Sequence, residues 1–198
     1  MRRTRRRPVI FDLEFTAWEG SMARGWSTPG EYKEVVQIGA VALDPETFHV
    51  TDTLDLLVRP RVNPVPSEYL VALTGITPAR LADLGLDFAT AYRLFLDFAI
   101  HHGGPGAPCW AYGRDDAIFA ANLELYVWKT TARLPDYHDV RPWFAEHGVD
   151  LTGKRACDVA EAAGVTFSGH KHDALDDARG VAAGMAALIA RGARNPFA

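Results

Sequence analysis

The stretch Val9–Thr16, VIFDLEFT, is an apolar run that acquires two carboxylates, Asp12 and Glu14, just before it ends. Side chains alternate across a strand, so residues i and i+2 share a face. Read as a strand, this stretch packs Phe11, Leu13 and Phe15 one way and projects Asp12 and Glu14 together from the other. Two like charges on one pleat destabilise it. A divalent cation, which takes oxygen ligands, would turn that repulsion into binding, and further ligands would then have to come from elsewhere in the chain. On this stretch alone, a strand end with two solvated acids is an equal reading.

Outward from it, Ala17–Lys33 carries Gly20, Gly25, Pro29 and Gly30 and reads as a loop, with Trp18 and Trp26 placed to stack on bases or to cap the core edge. Glu34–Asp44 and His49–Arg59 are β-branched, apolar runs around a Pro45-Glu46 turn, a hairpin pattern. Ser67–Leu73 suits a short helix ending at Gly75, and Phe88–His102 spaces Ala91, Leu94, Phe95, Phe98 and Ala99 helically. A short buried strand follows at Cys109–Tyr112, then a helix opened by Asp115 or Asp116 and running to about Lys129. After it come a strand near Tyr137–Val140, helices near Pro142–His147 and Ala156–Ala163, and a last helix after His172. A meander of three strands followed by alternating strands and helices describes an α/β domain with a mixed sheet.

Composition narrows the class. The formal charge of −4 hides a split: Arg2, Arg3, Arg5, Arg6 and Arg7 are five of 21 basic residues, leaving 16 against 25 acids, so the rest of the chain stands at −9. Residues 1–8 read as a basic disordered tail able to touch phosphates, 9–192 as one domain and 193–198 as a C-terminal tail. No apolar run approaches a membrane span, and Cys109 and Cys157 lie outside any metal or redox spacing, so the expected setting is cytoplasmic with reduced thiols.

Further acids sit at element ends. Asp116 begins a helix, where the dipole suits a carboxylate. In GHKHDALDDARG, Asp173 is a good N-cap with Asp176 three residues on, which leaves His172 on the loop and Asp177 in the first turn. Inside one helix His172 and Asp177 would stand about 140° apart, so a loop-to-helix junction is needed for both to reach one site. A zinc site at His170 and His172 lacks thiolates or a third histidine, Asp139 reads as structural, and no G-x-S-x-G elbow supports a serine hydrolase.

FDLEFT, LTGIT, YGRDD and HDALDDA, in this order, resemble the DnaQ-like DEDDh 3′–5′ exonucleases, closest to the branch of KapD-type and histone-mRNA exonucleases. The resemblance implies an RNase H-like fold with a five-stranded mixed sheet flanked by helices. It implies that Asp12, Glu14, Asp116 and Asp177 bind two divalent cations, Mg²⁺ or Mn²⁺, with His172 as general base. The family spacing from Gly113, with Phe119 and Leu123 in helical phase, favours Asp116 over Asp115. It further implies that Phe15 and Thr16 contact the terminal nucleotide and that Leu73, Thr74 and Ile76 wall its base. The implied partner is nucleic acid with a free 3′ end, RNA favoured over DNA, with no membrane and no legible protein partner. A DNA-directed proofreading or repair exonuclease and a non-catalytic nucleic-acid-binding module are the alternatives.

Overall fold

The structure is a computed structural model that describes residues 6–128 and 134–197. Arg2, Arg3, Arg5 and the expected helix end at Lys129 lie outside the described residues. Five strands, β1 (Val9–Phe15), β2 (Val35–Leu43), β3 (Val50–Leu57), β4 (Pro108–Ala111) and β5 (Asp136–Asp139), form one sheet in the order β3-β2-β1-β4-β5. The first three are antiparallel neighbours, and β4 and β5 add in parallel to β1. This is the mixed five-stranded sheet expected from the sequence.

The period of two in β1 divides the core. Val9, Phe11 and Leu13 pack against α3 (Phe88–Gly103) and α4 (Asp115–Leu125), where the rings of Phe11, Tyr92, Phe95 and Phe119 meet. Ile10 faces the opposite layer of α5 (Arg141–Glu146), α6 (Val159–Ala162) and α7 (Ala174–Ala190). Asp12 and Glu14 continue the Ile10 side, so the face that begins apolar ends acidic, at the carboxyl end of the strand. In open α/β sheets that end is where ligand crevices form.

Two residues of β2 seat α7 on the sheet. Gly39 pairs with Asp12, and a Cβ there would lie 2.1 Å from the backbone nitrogen of Leu175, so only glycine admits the first turn of α7 at this distance. Gln37 pairs with Glu14, accepts from the Ala174 N–H at 3.1 Å and donates to Asp173 and Asp55. Asp173 is the N-cap of α7 and accepts from the Asp176 N–H, as expected. Asp176 does not complete a capping box; its carboxylate takes the His170 N–H and pairs with Arg179.

Short helices α1 (Glu68–Thr74) and α2 (Pro78–Leu84) close the loop side of the sheet. Leu70, Ile76 and Leu81 pack with Ala17, Val36 and Leu57, with Trp26 laid against them. Arg61, Val62 and Asn63 donate their backbone N–H groups to the fully buried Glu34 carboxylate, which also accepts from the Tyr126 hydroxyl. The helix expected over Ala156–Ala163 divides into a single 3₁₀ turn, Ala156–Asp158, and α6. Instead of trailing free, residues 193–197 lie on the body: Phe197 stacks on Phe48 and meets Trp110 edge-on. No helix among the described residues is long and apolar enough to cross a membrane.

Candidate active site

A cavity of about 320 Å³ opens where β1 ends, lined by Asp12, Glu14, Asp115, His172 and Asp177 together with apolar and basic side chains. Carboxylate oxygens of Asp12, Glu14 and Asp177 lie within 4.8 Å of one another, so strand β1 and the first turn of α7 supply one acidic cluster. At 4.8 Å and an effective dielectric of 20, each ionised pair repels by about 3.5 kcal/mol. All three are at least nine-tenths shielded from solvent.

Burial, reinforced by the neighbouring acids, raises their proton affinities. The Asp12 carboxyl is held well above its ordinary range by burial and then by Asp115, Asp177 and Glu14. Glu14 is pushed up to about 8 by burial and Asp177, and Asp177 to about 7 by burial, against a backbone hydrogen bond from His172. Protons or cations must fill such a cluster at neutral pH, and four oxygen-donor side chains suit a hard divalent ion.

The fourth carboxylate lining the cavity is Asp115, whereas Asp116, the expected ligand, does not line it. Asp115 lines the cavity at the start of α4; burial pushes it to about 8 against a backbone hydrogen bond at Leu13, and its buried Oδ2 has no hydrogen-bond partner among the described residues. Asp116 turns outward and receives Arg114 at 2.8 and 3.0 Å, which holds its carboxyl below the usual range. The helix phase could not decide between them, because Ile118 and Phe119, three residues beyond each, are both buried.

His172 stands over the acids in a left-handed backbone conformation, φ +62°. Its Nδ1 is 4.0 Å from Glu14 Oε1, and its Nε2 is 3.2 Å from Arg155 Nη1. A guanidinium only donates, so Nε2 is the unprotonated ring nitrogen in this arrangement. Burial and then Arg155 lower its proton affinity further. Asp158 braces this corner, accepting from the Arg155 N–H and from Lys171.

The expected nucleotide contacts separate. Phe15 and Leu73 line the cavity, whereas Thr16, Thr74 and Ile76 do not. The Thr16 hydroxyl donates to the Tyr32 carbonyl and accepts from the Glu34 N–H. Thr74 is occupied at the end of α1, donating to Leu70 and accepting from Ile76 N–H, and Ile76 is 1% exposed in the core. Their places on the wall are taken by Trp26, Met22, Tyr69, Tyr112, Lys154 and Arg155. Trp26 both caps and lines: its indole donates to the Thr16 carbonyl while its ring tilts against Phe15. Tyr112 donates to the Lys154 carbonyl at 2.8 Å, which fixes the basic pair at the mouth. These contacts join residues distant in the chain, and no local pattern announces them.

The exonuclease family model matches residues 9–184. The chain belongs to the exonuclease family. This exonuclease is 38% identical over 69 residues to 3′-5′ exoribonuclease 1 of Mus musculus and 35% identical over 69 residues to that of Homo sapiens. The match takes in 34% of the exonuclease chain and 18% of each relative, so it spans less than a fifth of their length. Among solved structures, its fold is similar to the nuclease domain of 3′hExo, a DEDDh family member, bound to rAMP: TM-score 0.78, 21% identity, 94% of this chain and 93% of that one. It is also similar to E. coli Exonuclease I in complex with a dA16 oligonucleotide: TM-score 0.65, 20% identity, 94% and 41%. The exonuclease family read from the motifs and the RNase H-like exonuclease fold therefore hold.

Proposed function

We propose that this exonuclease removes nucleotides from the free 3′ end of nucleic acid, RNA in preference to DNA, in the cytoplasm and as one catalytic unit over residues 9–192. The observation that carries the reading is the buried cluster of Asp12, Glu14 and Asp177 with Asp115 and His172 on the same cavity. Asp12, Glu14, Asp115 and Asp177 would hold two divalent cations, Mg²⁺ or Mn²⁺; the orphaned Asp115 Oδ2 and the raised proton affinities fit that role. Cations held there would supply charge neutralisation and Lewis-acid polarisation of a phosphodiester.

The chain's own groups do the rest. His172, with Nε2 unprotonated, takes the proton of the attacking water once a phosphate draws Arg155 away from the ring. Phe15, Leu73 and Trp26 offer an apolar wall to the terminal base, and Lys154 and Arg155 offer cationic groups to the backbone phosphates. RNA is favoured because the sequence relatives are named exoribonucleases and the similar nuclease domain is bound to rAMP. DNA is the second reading, favoured by the likeness to a nuclease in complex with dA16.

The test is degradation of end-labelled RNA and DNA oligonucleotides, with free or blocked 3′ ends, with Mg²⁺, Mn²⁺ or chelator. Shortening of free-ended RNA ahead of DNA, abolished by chelator, is expected. Equal trimming of blocked ends, or turnover in excess chelator, would remove the reading, and binding without turnover would leave a non-catalytic module.

A further inference from the structure

A second donor set overlaps the acidic cluster through Asp177. Ligand atoms of Cys157, His172 and Asp177 lie within 4.8 Å of one another. The thiol comes from the 3₁₀ turn Ala156–Asp158, the imidazole from the loop before α7, and the carboxylate from the first turn of that helix. The Asp158–Lys171 ion pair, 2.8 Å, ties the first two segments together. Cys157 is half-buried and in no disulfide, so its sulfur is both held in place and open to exchange with solvent.

We propose that Cys157, His172 and Asp177 form a site for Zn²⁺ that is chemically distinct from the all-carboxylate cluster and switches the nuclease off. Sulfur, nitrogen and one oxygen are a zinc set, whereas Mg²⁺ takes oxygen donors. Zinc bonds of about 2.0–2.3 Å in a tetrahedron bring ligand atoms to about 3.3–3.8 Å of each other, so the three donors need close by about 1 Å, with water as fourth ligand. On binding, the thiol releases its proton to solvent and sulfur coordinates as thiolate. Arg155 must leave Nε2 if that nitrogen is the ligand, and Nδ1 is the other choice. Occupancy takes the proposed base and one carboxylate of the acidic cluster at once. The shutdown rests on the roles proposed above for His172 and Asp177; the binding does not.

Competition of the full-length protein against a chromophoric chelator, titrated with ZnCl₂, tests the binding without reference to nuclease activity. One Zn²⁺ per chain is expected, with Cys157→Ser weakening it tenfold or more, and Co²⁺ in place of Zn²⁺ should show a thiolate-to-cobalt charge-transfer band that Cys157→Ser and Cys157→Ala both lack. Unchanged zinc affinity in both variants, with wild-type melting curves, or absence of the band in the wild type, would overturn the site. In the Mg²⁺-supported trimming assay, near-stoichiometric Zn²⁺ should stop the wild type and spare Cys157→Ser. Equal inhibition of both would overturn the switch, while a protein inactive on every oligonucleotide but binding Zn²⁺ through Cys157 would sink the nuclease reading alone.

Discussion

Adjacent acids can have opposite fates when one has a private counter-ion. Asp116 is held by Arg114, two residues before it, while Asp115 points at the β1 backbone and feels Arg141 only as a weaker, more distant charge. Asp115→Asn should lower trimming a hundredfold or more, the scale of a lost catalytic carboxylate, and Asp116→Asn should stay within a few-fold; single-turnover rates on one oligonucleotide decide. The reverse order would return the fourth carboxylate to Asp116. The sequence brought the choice down to two neighbours and favoured Asp116, whereas Asp115 is the one that lines the cavity, because a side chain's direction at a helix start depends on what it meets. Arg155 was illegible for the same reason: its partner, His172, is 17 residues away. LTGIT misled in the other direction. Thr74 and Ile76 serve helix α1 and the core, and only Leu73 of the expected wall reaches the cavity.

The joint between β2 and α7 governs the geometry of the acids. Alternation in VIFDLEFT was enough to place Asp12 and Glu14 on one face, and the capping pattern was enough to put His172 outside the last helix. What lay hidden was why Gly39 and Gln37 stand opposite those acids: one leaves room for the Leu175 backbone, the other fastens the helix cap. Gly39→Ala puts a methyl group 2.1 Å from that backbone and must displace α7. Overpacking of this kind costs about 1–3 kcal/mol. Urea denaturation should show the loss, and calorimetry should show weaker Mn²⁺ binding, because Asp177 moves with the helix. Wild-type values in both measurements would mean that the helix seating does not set the site.

For the molecule as a whole, the acids make stability depend on pH and on cations together. Glu14 and Asp115 near 8 and Asp177 near 7, against ordinary values of 4.5 and 3.8, mean that these three acids hold more protons in the folded than in the unfolded chain between about pH 4 and 8, more than the lowered His102 and His172 give up. Metal-free stability must then fall as pH rises through that window. Melting in chelator should be higher at pH 5.5 than at pH 8, and Mn²⁺ should raise it more at pH 8, where fewer protons compete. A flat profile would mean the carboxylates do not share the cavity. At the other end of β1, deleting residues 1–7 should weaken oligonucleotide binding chiefly at low salt; identical salt curves would leave the arginines idle. Finally, the left-handed backbone of His172 sets folding against the base role proposed for it at a single position. An L side chain pays about 1 kcal/mol for that conformation and glycine pays none of it. His172→Gly should therefore melt higher than the wild type while cutting hardly at all, and, with every carboxylate intact, it is the variant of choice for capturing an uncleaved oligonucleotide in a crystal.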